Sequence, residues 1–62
     1  MTIYNPEREE LHDKIIVQMS NENCDGNIFD EFNEQYIFMS KNKLQSMVSW
    51  NLDQFIAWYE NI

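Results

Sequence analysis

Residues 43–62, KLQSMVSWNLDQFIAWYENI, decide how this chain is read. Leu44, Val48, Leu52, Phe55, Tyr59 and Ile62 recur at i, i+4, i+8, i+11, i+15 and i+18, one face of an α-helix. Trp50, Phe55, Trp58 and Tyr59 are four of the nine aromatic residues. Two readings fit the stretch. It is either one long helix, or two helices broken near residues 49–51. In the second reading Asn51 caps the final helix and Gln54 completes a capping box. A continuous helix would set the Asn51 amide close to the apolar stripe, where it is costly. The break is therefore preferred. Trp50 and Trp58 lie off the main stripe, and Trp is a favoured interface anchor.

Working back toward the start, Ser40, Lys41, Asn42 and Lys43 interrupt the pattern and can cap the helix that follows. Before them, Ile28, Phe29, Phe32, Tyr36 and Met39 share one helical face, and Asp30, Glu31 and Glu34 gather on the opposite one. Phe38 points out among these acids. Asn27 is expected to cap this second helix, with Asp30 three residues on as a short-armed capping box. The only clear loop is SNENCDGN at residues 20–27, which contains the sole Gly. The Asp25 and Gly26 pair could also close a hairpin after a strand at residues 15–19. The flanking segments fit period 3.6 better than period 2.

The first helix is expected from residue 6 to about residue 20, after an extended start at residues 1–4. Asn5 can cap it, Pro6 suits the first helical position, and Glu7, Glu9 and Glu10 favour the positive end of the helix dipole. Leu11, Ile15 and Met19 form its stripe, widened by Ile16. Glu10 and Lys14 make a favourable i, i+4 pair. The fold expected is thus all-α, a small bundle of three to four short helices forming one domain.

A 62-residue chain is at the small end of what folds alone. A domain of that length buries only about 60% of its unfolded surface, and its core supplies roughly 3–5 kcal/mol. One Cys leaves no internal disulfide to help. Yet 44% of the residues are hydrophobic and 15% aromatic, more apolar surface than such an interior easily hides. A second copy of the chain or another protein is the expected cover, with a homodimer through Trp50, Trp58 and their neighbours preferred.

The formal charge of −7 argues against direct binding to nucleic acid or to anionic membranes, and favours salt-sensitive association with a basic protein. The charge is unevenly spread. Through Met39 there are nine acids against two basic residues; from Ser40 on, two against two. Glu9 and Asp13, Asp30 and Glu34, and Glu31 and Glu34 are like-charge pairs at i, i+4 or i, i+3, each costing a few tenths of a kcal/mol. Carboxylates about 5–6 Å apart on a helix approach the spacing of phosphates along a strand. A solvated, solubilising face is the alternative explanation. The residues expected to touch a partner are Glu7, Glu9, Glu10, Asp13, Asp30, Glu31, Glu34, Phe38, Trp50 and Trp58.

Residues 21–32, NENCDGNIFDEF, partly resemble an EF-hand calcium loop. Asn21, Asn23 and Asp25 take the alternating ligand positions, Gly26 the sharp turn, and Ile28 follows two residues later. The twelfth position, where the family has Glu, is Phe32, and Glu31 arrives one residue early. The bidentate ligand is displaced, so tight calcium binding is not expected. Cys24 and His12 are one each of the soft metal ligands, short of the four a zinc site wants, and are expected to be a lone loop thiol and a helix-surface imidazole. No cofactor and no catalytic constellation is expected. The chain shows no start resembling a signal peptide and no run of eighteen apolar residues, and a lone Cys fits a reducing compartment, so the cytoplasm is expected.

Small acidic chains rich in Asn and Ile look like phage-encoded proteins that block host enzymes, among them antirestriction, anti-CRISPR and polymerase-inhibiting proteins. That likeness implies an inhibitor of a basic nucleic-acid-handling host protein, acting in the host cytoplasm as a DNA mimic. The alternative is a homo-oligomeric or accessory-subunit domain that binds through its C-terminal aromatic surface. A degenerate calcium-binding helix-loop-helix comes third.

Overall fold

A computed structural model describes residues 6–62. The extended start expected at residues 1–4 and the cap expected at Asn5 lie outside the described residues. Four α-helices follow one another: α1 (Pro6–Asn21), α2 (Gly26–Gln35), α3 (Lys41–Met47) and α4 (Leu52–Glu60). A single 3-10 turn, Tyr36–Phe38, prolongs α2. No strand occurs among the described residues, so the protein is all-α and the Asp25–Gly26 hairpin is excluded. No helix among them is long and apolar enough to cross a membrane.

The core consists of Ile15 and Met19 from α1, Ile28 and Phe32 from α2, Leu44 and Met47 from α3, and Phe55 from α4. α1 lies chiefly against α3, and α2 against α4. Each helix contributes one or two side chains at i, i+3 or i, i+4 spacing, so burial per helix is small. Phe32 and Phe55, both fully buried, are the largest of these side chains. Full burial of a Phe contributes about 1.5–3 kcal/mol.

The C-terminal half breaks where the cap signals place it. Ser40 opens α3, its hydroxyl accepting from the Lys43 amide at 3.2 Å. Asn51 opens α4 with a complete capping box. Its side chain accepts from the Gln54 amide at 2.9 Å, and its own amide donates to Gln54 Oε1 at 3.0 Å. The break resets the helical phase, which corrects the single stripe projected across residues 44–62. α3 buries Leu44 and Met47, α4 buries Phe55, and Tyr59 and Ile62 end exposed. Trp50 and Trp58, off that projected stripe, instead pack against the core. Their rings meet Phe55 and Phe32 edge-on, with centroids 5.4 and 6.5 Å apart.

The start of α2 is a second correction. Its N-cap position is Asp25, two residues before Asn27. The Asp25 carbonyl already accepts from Ile28 and Phe29 at 3.0 and 3.3 Å, which places Asn27 and Asp30 inside the helix. The connection between α1 and α2 is therefore four residues, 22–25. Asn23 turns the chain in the left-handed region at φ 60°, and the Cys24 amide bonds back to the Met19 carbonyl. An EF-hand needs a twelve-residue ligand loop. Here Gly26, Asn27 and Ile28 are helical, so the resemblance stops at the sequence.

Candidate functional site

The acids of α1 and α2 occupy the outer sides of helices whose inner sides build the core. On α2, Ile28 and Phe32 are buried while Asp30 and Glu34, four residues apart, are exposed. On α1, Asp13 is exposed, two residues before buried Ile15 and so well round the helix from it. Folding has thus left carboxylates on the side that the apolar stripe does not use. Exposed apolar groups accompany them: Val17 on α1 and Phe38 just after α2, the latter 79% exposed.

His12 ties the two helices together. Its ring stacks on Phe32, with centroids 5.3 Å apart and planes 12° apart, and lies 4.4 Å from the Tyr36 ring. Nε2 sits 2.7 Å from Asn33 Oδ1, and Nδ1 3.3 Å from Asp13 Oδ1. The expectation of an imidazole on the helix surface is corrected: His12 is half-buried and bridges α1 to α2. One turn earlier, the Tyr36 hydroxyl donates to Glu9 Oε1 at 3.0 Å, and Arg8 Nη1 donates to the Tyr36 carbonyl at 3.1 Å. Glu9 and the burial it accompanies hold the Tyr36 phenol above its ordinary range, the hydrogen bond being the largest cause.

The acids are therefore not equivalent. Glu7 pairs with Lys41 on α3. Glu10 pairs with Lys14 at 3.3 Å. Glu9 serves Tyr36, and half-buried Glu31 accepts from Gln35 Nε2 at 2.9 Å. Asp13, Asp30 and Glu34 remain as exposed carboxylates that no Lys or Arg side chain meets among the described residues, Asp13 being met by His12 Nδ1 at 3.3 Å. Pairing with Lys41 also means that part of the charge of α1 is offset by α3, a cross-helix contact that adding up charge along the chain does not reveal.

Glu22 was not among the expected site residues. Its Oε1 accepts from the Leu52 amide at 2.9 Å, so it sits at the N-terminus of α4 beside the capping box. There a carboxylate is favoured by the helix dipole. Nothing local to Glu22 signals this, because its partner lies thirty residues away. Cys24, expected as a lone loop thiol, is half-buried against the core. Burial pushes its thiol up, with the charges of Glu22 and Asp25 adding to the effect.

A second surface lies at the end of α2. An open groove of about 640 Å³ runs between the end of α2, α3 and α4. Met39, Trp50, Ala57, Trp58 and Ile62 supply its apolar lining. Lys43 is the only charged residue among those that line it, and its Nζ lies 5.1 Å from the centroid of Trp50. Gln35, Gln54 and Asn61 complete the walls. Trp50 and Trp58 are half-buried, so each has one side on the core and another toward this groove.

Among the described residues no group of three or more His, Cys, Asp or Glu side chains is arranged to hold a metal ion. Comparison with family models, with curated proteins and with solved structures finds no match to this chain.

Proposed function

We propose that this is a small acidic binding module whose α1–α2 face engages a basic, nucleic-acid-handling protein, as a cytoplasmic inhibitor of the phage type that imitates DNA. It acts by occupying a cleft, not by catalysis. The observation that carries this reading is the placement of Asp13, Asp30 and Glu34. They are exposed on the outer faces of two helices joined by His12, none of them paired with a Lys or Arg, while the nearby cations Lys14 and Lys41 are bound to Glu10 and Glu7. Two helices held at a fixed separation present their carboxylates as a rigid array. A rigid array loses little freedom on binding, and opposite charge on the partner steers the encounter.

The test is capture from a bacterial lysate on the immobilised full chain, with duplex DNA as competitor. Asp13, Asp30 and Glu34 reversed together to Lys give the control. The expected result is a basic protein retained by the parent, displaced by DNA and not retained by the variant. Retention that DNA does not disturb and the variant reproduces would overturn the reading.

A second reading is favoured by the groove. Trp50, Trp58 and Met39 give the open groove its apolar lining, and Phe38, next to Met39 in the chain, is 79% exposed. Contiguous apolar surface of this kind marks an association site. In this reading the chain is a homodimer whose acidic faces point outward.

A further inference from the structure

We infer that the groove lined by Lys43, Trp50 and Trp58 is a binding site for a small aromatic anion, a flat ring carrying a single carboxylate. The groove shares no residue with the Asp13, Asp30 and Glu34 face, so the inference stands whether or not that face engages a basic protein.

The first support is charge. Among the lysines of the described residues, Lys14 and Lys41 are held by Glu10 and Glu7. Lys43 is in no ion pair; its Nζ lies over the Trp50 ring instead, 5.1 Å from the centroid. An indole face attracts an ammonium group but leaves its charge unneutralised. No Asp or Glu lines the groove. The chain carries a net charge of −7, so a surface whose one ionic group is a cation stands apart from the rest, and its complement is an anion. The second support is the hydrogen-bonding group that accompanies the cation. The capping box of α4 uses Gln54 Oε1, which accepts from the Asn51 amide. The Gln54 Nε2 group is left as a donor on a residue that lines the same groove. An ammonium and an amide N–H suit a carboxylate, whose oxygens are acceptors only.

The third support is the body of the site. Met39, Trp50 and Trp58 give it walls of thioether and indole, which suit an aromatic ring better than a saturated one. Its volume of about 640 Å³ falls among small-molecule sites, which run to about 300–1,000 Å³. One lysine matches one negative charge. A polyanion would bring charges that the groove cannot meet, and would face exposed Asp53 and Glu60, next in the chain to the lining residues Gln54 and Asn61.

The two Trp residues of the chain both line the groove, so their indole N–H signals in a proton–nitrogen correlation spectrum of the full chain report on it. Four probes separate the possibilities: phenylacetate, uncharged phenylacetamide, cationic phenethylamine and saturated cyclohexylacetate. Phenylacetate should shift both signals and bind about fivefold more tightly than phenylacetamide or cyclohexylacetate. Phenethylamine should bind no better than the amide, although the net charge of the chain favours it. Lys43→Gln should erase the advantage of phenylacetate over phenylacetamide; Lys43 is exposed, and circular dichroism checks that the variant is folded. Signals that no probe moves would overturn the site. Equal affinity for carboxylate and amide, or an advantage that survives in Lys43→Gln, would overturn the anion and the role of Lys43. Equal affinity for phenylacetate and cyclohexylacetate would overturn the aromatic ring. Indole signals that move when the chain is diluted without probe would give the groove to a second copy and overturn the ligand site.

Discussion

The two halves of this protein are held together by different kinds of interaction. The α3–α4 half is built from local devices. Ser40 caps α3 three residues on, and Asn51 and Gln54 close a capping box three residues apart. The α1–α2 half relies on side chains that reach far along the sequence. His12 meets Asn33, Glu9 meets Tyr36, and Glu22 crosses to the start of α4. The half that carries all the net charge thus uses several of its charged and polar groups for tertiary structure. The neutral half leaves its aromatic surface open. In a chain this small, the carboxylates that can meet a partner are those that the fold has not already engaged.

The largest expected effect tests whether the two halves share one core. Phe32 of α2 is fully buried and meets Trp58 of α4 edge-on. Phe32→Ala should cost about 3–5 kcal/mol, comparable with the roughly 3–5 kcal/mol that a core of this size supplies. Circular dichroism should show loss of helix in all four segments together. Survival of half the helical signal would mean that the halves fold separately.

Next come the helix starts. Asn51→Ala removes the acceptor of the box and should cost about 1–2 kcal/mol in denaturant unfolding. Asn27→Ala, inside α2 and exposed, should stay within about 0.5 kcal/mol of the parent. The reverse order would move the start of α2 back to Asn27.

A smaller effect separates the halves by pH. The Tyr36 phenol is raised in the folded protein by its hydrogen bond to Glu9, then by burial and by the charges of Glu9 and Asp13. The unfolded phenol ionises near pH 10. The contribution is therefore fully present below about pH 10 and is lost as pH rises through the folded value. Stability should fall on the alkaline side, and Glu9→Gln should flatten that fall. An unchanged alkaline limb in the variant would contradict the link. Smallest of all, Cys24 should alkylate more slowly at neutral pH than a free cysteine, because the reactive thiolate is disfavoured by burial and by Glu22 and Asp25. Asp25→Asn should speed the reaction, and an equal rate would argue against the charge contribution.

The same contrast explains what could be read from the sequence. The break before α4 was legible because Asn51 and Gln54 lie at the spacing a capping box requires. The α1 stripe of Leu11, Ile15 and Met19 was legible from its period. Where two cap-competent residues stood close together, Asp25 and Asn27, the i, i+3 pairing of Asn27 with Asp30 pointed to the wrong one. Tyr59 and Ile62 were placed inside because a stripe was carried across a break that changes the helix axis. His12 and Glu22 gave no signal at all, since their partners are 21 and 30 residues away. Of the acids expected at the binding face, Glu10 was legibly engaged by Lys14 from their i, i+4 spacing, but nothing local showed that Glu7 and Glu9 would be engaged by Lys41 and Tyr36, 34 and 27 residues away.

The claim that the α1–α2 carboxylates form the binding surface is tested most directly by salt. The affinity of the captured basic partner for the parent chain should be measured from about 50 to about 200 mM salt, alongside the Asp13, Asp30 and Glu34 triple reversal. The account predicts that parent affinity falls at least about tenfold over this range, and that the folded variant binds weakly at every salt concentration. Equal binding by parent and variant, unchanged by salt, would show that the acidic face serves only solubility.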